Sequence, residues 1–114
     1  MEKRKNLRIP MKNLWVDIAD GFGFSQGVVS DVSRFGICMT GMPKRLNGDA
    51  ERMTVVVSGN VGRFTMNVRP RWYTRGSARR SVGVEIMDVP WGWNEFVKNF
   101  EPVFHKDVWD QIRL

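Results

Sequence analysis

The stretch Gly27–Gly41, GVVSDVSRFGICMTG, carries the pattern that decides the fold. Two short apolar runs, Val28–Val29 and Ile37–Met39, flank a polar connection, which is typical of a β-hairpin. Asp31 and Ser33 stand two residues apart just ahead of the turn, so on a strand their side chains project from the same face. The pattern therefore predicts a hairpin that presents a carboxylate beside a hydroxyl.

Gly36 stands at the end of that connection, a position where φ is often positive and a side chain would be strained. Its bare backbone would also let a ligand come close. A plain hairpin explains the same residues, because Asp and Ser form turns by bonding to nearby backbone. The segment alone leaves both interpretations open.

Length and composition limit the classes of protein. With 114 residues, 42% of them hydrophobic, the chain is expected to form one domain with a single core. A single cysteine, Cys38, excludes an internal disulfide and sites with several cysteine ligands. No apolar run approaches the roughly 20 residues of a membrane-spanning helix. With no signal sequence in view, we expect a cytoplasmic chain.

The positive charge is concentrated in two places. The formal net charge is +6, and twelve of the eighteen basic residues are arginine, which favours bidentate recognition of phosphate or guanine. Anions are therefore the expected partners. The two clusters are Lys3, Arg4, Lys5, Arg8 and Lys12 at the start, and Arg69, Arg71, Arg75, Arg79 and Arg80 further on.

Alternating apolar residues predict antiparallel strands between these clusters. The predicted strands are Asn13–Ala19, the two arms of the Gly27–Gly41 hairpin, Met53–Ser58, Arg63–Val68 with its continuation, and Ser81–Met87. Asp20–Gln26 and Met42–Arg52 are expected to be loops. Pro70 cannot donate to a central ladder, so we expect its strand to lie at an edge or to be bulged there.

Helical periodicity replaces the alternation after Pro90. Apolar residues recur at i, i+3, i+4 and i+7 from Trp93 to Phe100, which predicts an amphipathic helix. Phe104, Val108 and Ile112, helped by Trp109, predict a second short helix. Core packing is expected for the tryptophans of this tail, although a docking surface for a partner is the alternative. These tryptophans are Trp91, Trp93 and Trp109.

The elements together predict an all-β or mainly β fold, a small closed or nearly closed barrel followed by helix. Three parts are expected along the chain. They are a flexible basic arm at residues 1–12, the barrel at 13–88, and a helical segment at 89–114 packed on the barrel.

Two short motifs in order carry a family resemblance. Arg4 and Arg8 form an RxxxR pair, and Asp31, Ser33 and Gly36 form DxSxxG. With this barrel pattern, the chain resembles the PilZ domain family, bacterial receptors for the second messenger cyclic di-GMP. The resemblance runs from the arm to about Asp88. It implies a six-stranded antiparallel PilZ-type barrel that binds cyclic di-GMP and performs no catalysis.

The resemblance also implies a role for each motif residue. Arg4 and Arg8 would clamp phosphate and guanine from the arm, while Asp31 and Ser33 hold the guanine and neighbouring polar atoms. Arginine forks match the O6 and N7 acceptors of guanine or its phosphates, and a carboxylate matches the donors of its Watson–Crick edge. Gly36 would keep the turn open. Closure of the arm would change the exposed surface and relay occupancy to an effector protein in motility, biofilm or exopolysaccharide control.

Several positions depart from the family pattern or extend it. Lys3 stands where relatives often carry another arginine, and Phe35 stands where many have glycine, so the site could hold one ligand or an intercalated pair. Arg71 and Trp72 could add a phosphate contact or stacking, or they could belong to a basic surface strand. Further candidate ligand contacts are Lys3, Lys5, Arg34 and Phe35.

Particular residues are also compatible with other classes of function. A small barrel could bind single-stranded nucleic acid through the basic and aromatic cluster Arg69–Arg75. A ligand-blind adaptor could bind a protein through the tail alone. His105 and Cys38 have no evident base, acid or metal-ligand partner, so we expect no catalytic residue, no metal and no cofactor beyond the bound messenger.

Overall fold

Seven β-strands and one short α-helix make up the described part of the chain. The computed structural model describes residues 8–43, 45–59, 62–74 and 79–99. The elements are β1 Ile9–Pro10, β2 Leu14–Ala19, β3 Phe24–Val32, β4 Gly36–Pro43, β5 Met53–Gly59, β6 Gly62–Tyr73, β7 Arg79–Ile86 and α1 Trp93–Lys98. Across these residues, the helical structure is too short and too polar to cross a bilayer.

The strands close into a barrel. Strands β3, β2, β5, β6, β7 and β4 pair in that order, and β4 pairs back with β3, so all six antiparallel strands have two neighbours. Strand β1 adds to β3 as a seventh, outer strand. The prediction of a six-stranded antiparallel barrel followed by helix is confirmed. Closure leaves few free strand edges, which a small sheet must otherwise protect.

The inward residues of every strand fill the barrel. In β2, Leu14, Val16 and Ile18 are buried while Trp15 and Asp17 face outward, as the alternation predicts. In β7, Val82, Val84 and Ile86 are buried as predicted, and Gly83 between them is buried too, since the Trp72 ring lies against it. The resulting core is one contiguous apolar cluster that also takes in α1.

Helix α1 is anchored to the barrel by its first residue. Trp93 is fully buried, and its ring meets that of Phe64 edge to face at 5.2 Å between centroids. Its indole N–H donates to the backbone oxygen of Ser33 at 3.1 Å, which joins the helix to the β3–β4 turn. Core packing is thus confirmed for Trp93 and wrong for Trp91, which is 97% exposed.

The remaining predictions for the tail fall on undescribed residues. Phe100, Trp109 and the second helical stripe all lie outside the described part of the chain, as does His105. They stay predictions.

Two predicted loops are wrong in part. Within Asp20–Gln26 a tight turn closed by a hydrogen bond from the Asp20 N–H to the Gly23 oxygen, 3.2 Å, lets β3 begin as early as Phe24. Within Met42–Arg52, strand β4 continues to Pro43, because Pro43 still lies opposite Arg79 of β7. Both errors extend strands at the end of the barrel away from the β3–β4 turn.

The β3–β4 hairpin is confirmed. The Ser33 N–H donates to the Gly36 oxygen at 2.9 Å and closes the turn. A bulge between Val29 and Asp31 shifts the register just before it. The positive φ expected at Gly36 is wrong, since Gly36 begins β4 and the glycines with positive φ are others. What restricts Gly36 is space, because a Cβ there would lie 3.1 Å from the backbone oxygen of Val84.

Candidate functional site

The short strand β1 brings the N-terminal cation to the acidic residue of the hairpin. Ile9 pairs with Val32 and Pro10 with Asp31, and Ile9 is buried, so the chain is fixed at this point. Arg8 immediately precedes the strand. Its Nε donates to Asp31 Oδ1 at 3.1 Å, and a second guanidinium nitrogen lies 3.5 Å from Oδ2. The guanidinium thus faces both carboxylate oxygens.

This ion pair is accessible to solvent. The Arg8 side chain is 59% exposed and the Asp31 side chain 25% exposed. An exposed pair of this kind contributes little to stability, because water and salt screen it. Breaking the pair therefore costs little free energy, and each group can then bind a polar group of a ligand.

A surface cavity of about 250 Å³ opens beside the pair. The end of β3 and the start of β4 form one side, and the end of β6 and the middle of β7 form the other. Its lining residues are Arg8, Asp31, Ser33, Gly36, Ile37, Arg71, Trp72, Gly83 and Val84. Cationic, anionic, hydroxyl and aromatic groups are thus gathered around one opening.

A bulge in β6 supplies the aromatic and the second cation. Pro70 pairs with Val84 and Trp72 with Gly83, which leaves Arg71 as the extra residue. In a regular strand Arg71 and Trp72 would face opposite ways, yet both are exposed here. The bulge predicted at Pro70 is therefore confirmed, and it turns two consecutive side chains toward the cavity.

Gly83 makes room for the indole. A Cβ at Gly83 would lie 2.3 Å from atoms of the Trp72 ring, so only glycine allows the ring to rest on the strand at this position. Trp72 nevertheless stays 43% exposed. Its ring can offer a flat apolar surface to a planar ligand.

Arg71 also has an acidic neighbour. Its guanidinium lies 3.6 Å from Glu85 Oε1, and both side chains are largely exposed, 59% and 47%. The cavity therefore has a guanidinium at each of two places, Arg8 and Arg71, each balanced by a carboxylate. No cluster of three or more metal-ligating side chains occurs among the residues described.

The structure gathers six of the predicted ligand residues at this cavity. They are Arg8, Asp31, Ser33, Gly36, Arg71 and Trp72. Arg34 and Phe35 lie in the adjoining turn and do not line it, and Phe35 is 49% exposed. Lys3, Arg4 and Lys5 lie outside the described residues, so the position of the first motif arginine stays a prediction.

Sequence reasoning missed three lining residues. Ile37, Gly83 and Val84 complete the cavity wall, and they come from strands that the sequence places far apart. The available signal was Gly83, a glycine in the middle of an otherwise valine-rich strand, which indicates close approach of another group.

The sequence matches no protein-family model and no curated protein. Solved structures do match. The PilZ domain of YcgR from Escherichia coli, determined with c-di-GMP, superposes with a TM-score of 0.68 at 12% identity, and the match covers 98% of each chain. The fold is that of a PilZ domain.

Two longer proteins contain a similar PilZ-like part. MotI/DgrA, an inhibitor of motility from Bacillus subtilis, matches with a TM-score of 0.69 at 14% identity over 88% of this chain. PlzA of Borreliella burgdorferi, in complex with c-di-GMP, matches with a TM-score of 0.68 at 10% identity over 90% of it. The chain spans about half of each, 49% and 52%. At such identities the matches show the fold, and function depends on the site.

Proposed function

We propose that the chain is a receptor for cyclic di-GMP. The observation that carries the proposal is the meeting of Arg8 with Asp31, Ser33 and Gly36 at one cavity of a PilZ fold. These residues come from two motifs that lie 23 residues apart at their contact. A plain hairpin would need neither the arginine nor the cavity.

The chemistry of the cavity fits a guanine with its phosphate. Guanine presents N–H donors on its Watson–Crick edge, which Asp31 can accept, and acceptors at O6 and N7, which an arginine fork can bind. Trp72 offers a surface for base stacking. Arg8 and Asp31 are paired with each other in the free chain. A bound ligand would replace Asp31 as the partner of Arg8 and replace Arg8 as the partner of Asp31. The phosphate would compensate the charge of Arg8, while Asp31 would accept hydrogen bonds from the neutral guanine.

The output of the receptor would come from the segment before Arg8. Arg4 belongs to that segment, and a ligand held by Arg8 offers its second phosphate and guanine to Arg4. We propose that this segment closes over the ligand and that an effector protein recognises the changed surface. The ligand would thus be the only small molecule required.

Calorimetric titration of the full chain tests the ligand. We expect binding of cyclic di-GMP, and binding of cyclic di-AMP and GTP weaker by about tenfold or more. Adenine lacks the paired N1–H and N2–H donors and the O6 acceptor of guanine, and GTP lacks the second base. The stoichiometry would distinguish one bound ligand from an intercalated pair. Equal binding of the adenine and guanine dinucleotides, or no heat with any of the three, would refute the proposal.

The nucleic-acid alternative receives less support from the same strand. Tyr73 of the basic and aromatic cluster packs against the core, and the Arg80 guanidinium covers its ring at 5.0 Å. Among the described residues of this cluster, Trp72 is the aromatic with an exposed face, and Arg71 faces Glu85. Single-strand binders need a row of free aromatic faces. A steep loss of oligonucleotide affinity with salt, without preference for guanine, would favour the alternative.

A further inference from the structure

Ser33 has a fixed backbone and an unpaired hydroxyl. Its N–H donates to the Gly36 oxygen at 2.9 Å, and its own oxygen accepts the indole N–H of Trp93 at 3.1 Å. Ser33 is only 8% exposed and lines the cavity, yet no group in the described part of the chain hydrogen-bonds its hydroxyl. A nearly buried hydroxyl normally has a partner, so this one is available to a ligand.

The bond to the Ser33 oxygen comes from outside the hairpin. Trp93 is 60 residues further along the chain, and it does not line the cavity. Its ring is fully buried, with the rings of Phe64 and Phe96 at 5.2 and 5.4 Å between centroids. The indole N–H is therefore held in one position, and the carbonyl that it binds is held with it. Without this donor the Ser33 oxygen would lose a buried hydrogen bond.

Helix α1, which begins with Trp93, depends on its packing. It has six residues, and a helix of that length is not stable by itself in water. Its N-cap residue, Gly92, offers no side chain to bond the first N–H groups. Burial of Trp93, Phe96 and Val97 therefore holds the helix on the barrel. Because Trp93 also bonds Ser33, the helix can leave the barrel only if the Ser33 carbonyl is released.

We infer that Trp93 is a positioning residue of the ligand site, which acts through Ser33, and that a bound ligand in turn strengthens the docking of α1. The inference rests on the proposed function, because it requires a ligand in the cavity. While α1 is docked, the Ser33 carbonyl is held and the residue is already placed at the cavity. Ligand binding then requires less ordering of the turn.

The coupling has to work in both directions. If docking of α1 raises the affinity of the cavity for its ligand, the ligand favours docked α1 by the same factor. A contact between the ligand and the Ser33 hydroxyl restrains Ser33 from the cavity, while Trp93 restrains it from the helix. Helix α1 would thus respond to occupancy, in addition to the proposed closure of the segment before Arg8.

The size of the effect is limited by what Ser33 contributes to binding. Strand β1 and the end of β3 place Arg8 and Asp31, and no hydrogen bond within the described residues joins either of them to α1. Loss of the Trp93 donor should therefore affect only the share of ligand affinity that depends on Ser33. This predicts that substitutions at Trp93 and Ser33 are not additive.

Calorimetric titration of the full chain with cyclic di-GMP tests the inference. Ser33→Ala should weaken binding about fivefold, the loss of one hydrogen bond. Trp93→Phe keeps an aromatic ring and removes the N–H, and we expect a loss of about threefold to fivefold. The double variant should bind no more weakly than Ser33→Ala alone. Additive losses would show that Trp93 does not act through Ser33, and would overturn the inference.

Val97→Ala is the matched control. It removes a comparable volume from a fully buried position on the same helix and leaves the indole donor in place. Urea denaturation should show that both variants fold and lose stability to a similar extent. Affinity for cyclic di-GMP should fall in Trp93→Phe and stay at the wild-type value in Val97→Ala. An equal loss of affinity in the two variants would mean that α1 supports the fold in general, and the inference would be wrong.

Hydrogen exchange in the wild type tests the reverse direction and needs no variant to fold. Saturating cyclic di-GMP should slow exchange of the Trp93 indole N–H severalfold by NMR, because the buried indole exchanges when α1 opens. The indole N–H of Trp91, which is 97% exposed, is the internal control and should not change. An unchanged rate at Trp93, or wild-type affinity in folded Trp93→Phe, would refute this inference alone. A wild type that binds no cyclic di-GMP would refute the proposed function, and this inference with it.

Discussion

The turn before strand β3 and the far end of that strand each carry an aspartate, and the two aspartates are held in different ways. Asp20, just before the strand, is buried and bonded by three backbone N–H groups. Asp31, near its other end, is bonded by the Arg8 side chain and is a quarter exposed. The first carboxylate is part of the turn, whereas the second is available to a new partner.

The difference follows from what must move to release each carboxylate. The backbone amides around Asp20 belong to two loops, and they can leave only if the Asp20–Phe24 turn and the loop at Asn47 open together. The Arg8 guanidinium can swing away by rotating its own side chain, which is 59% exposed. Sequence alone cannot separate these cases, because both residues are aspartates next to turns.

Replacing Asp20 should have the largest effect. Asp20→Ala leaves three buried N–H groups without their acceptor, and we expect the free energy of unfolding to fall by about 3 kcal/mol. Urea denaturation measures this loss. Affinity for cyclic di-GMP, measured on the folded fraction, should stay unchanged.

Asp17→Ala is the control for Asp20→Ala. Asp17 lies on β2 three residues earlier and faces outward, so its loss should change stability by less than about 0.5 kcal/mol. If Asp20→Ala were as mild as Asp17→Ala, the contrast between the two ends of β3 would be lost.

Replacing Arg8 or Asp31 should do the opposite, and lower ligand affinity with little change in stability. Arg8→Ala and Asp31→Ala should each weaken binding of cyclic di-GMP by roughly 1 to 3 kcal/mol, about 5-fold to 150-fold. Their free energies of unfolding should change by about 0.5 kcal/mol or less, since the pair is exposed. Calorimetry and urea denaturation on the same preparations compare the two quantities. Unchanged affinity in both folded variants would remove this pair from the ligand site.

Much of the barrel could be predicted because its signals are local. Alternation in β2 and β7 gave the buried faces, and the DVSRFG connection gave the β3–β4 turn. The start of β3 at Phe24 could not be predicted, because Phe24 faces outward and the polar Ser25 is buried, the reverse of the usual alternation. One of the three bonds that hold the Asp20 carboxylate comes from Asn47, which is distant in sequence.

Part of the candidate site could likewise be predicted from local sequence, and part depends on contacts between strands. Asp31, Ser33 and Gly36 could be placed together from one hairpin. Arg71 and Trp72 both face the cavity only because of the bulge after Pro70. The proline in the sequence indicates a bulge, but it does not say which way the neighbouring side chains turn. Gly83 could be read as special, but the ring that rests on it comes from the neighbouring strand.

Gly83→Ala should have a smaller effect, and mainly on binding. The new Cβ would displace the Trp72 ring, which is exposed enough to swing away, so stability should fall by about 1 kcal/mol or less. We expect a severalfold loss of ligand affinity if the ring stacks on a base. A double-mutant cycle with Trp72→Ala measures the coupling. Additive losses from the two substitutions would show that Gly83 acts on the site without the indole.

The pH dependence of stability should show the smallest effect and is specific to Asp20. Burial raises the pKa of Asp20, but the N–H bonds from Asn47, Phe22, Gly23 and its own backbone outweigh it and hold the pKa below the ordinary 3.8. A carboxyl whose pKa is lower in the folded chain stabilises the fold fully above its unfolded pKa. That contribution is lost as the pH falls below 3.8 and through the folded pKa.

Asp20→Asn isolates this contribution, because the amide cannot titrate. The difference in unfolding free energy between the wild type and Asp20→Asn, measured by urea denaturation from pH 6 to pH 3, should be constant at first and then shrink as the wild type is protonated. A difference that stays flat to the lowest pH, or that grows, would mean that the amides around Asp20 do not favour its charged form. The charge of Asp20 would then contribute nothing to the stability of its turn. The contrast between Asp20, held by backbone N–H groups, and Asp31, held by a side chain, would fail at Asp20, where we expect it to be strongest.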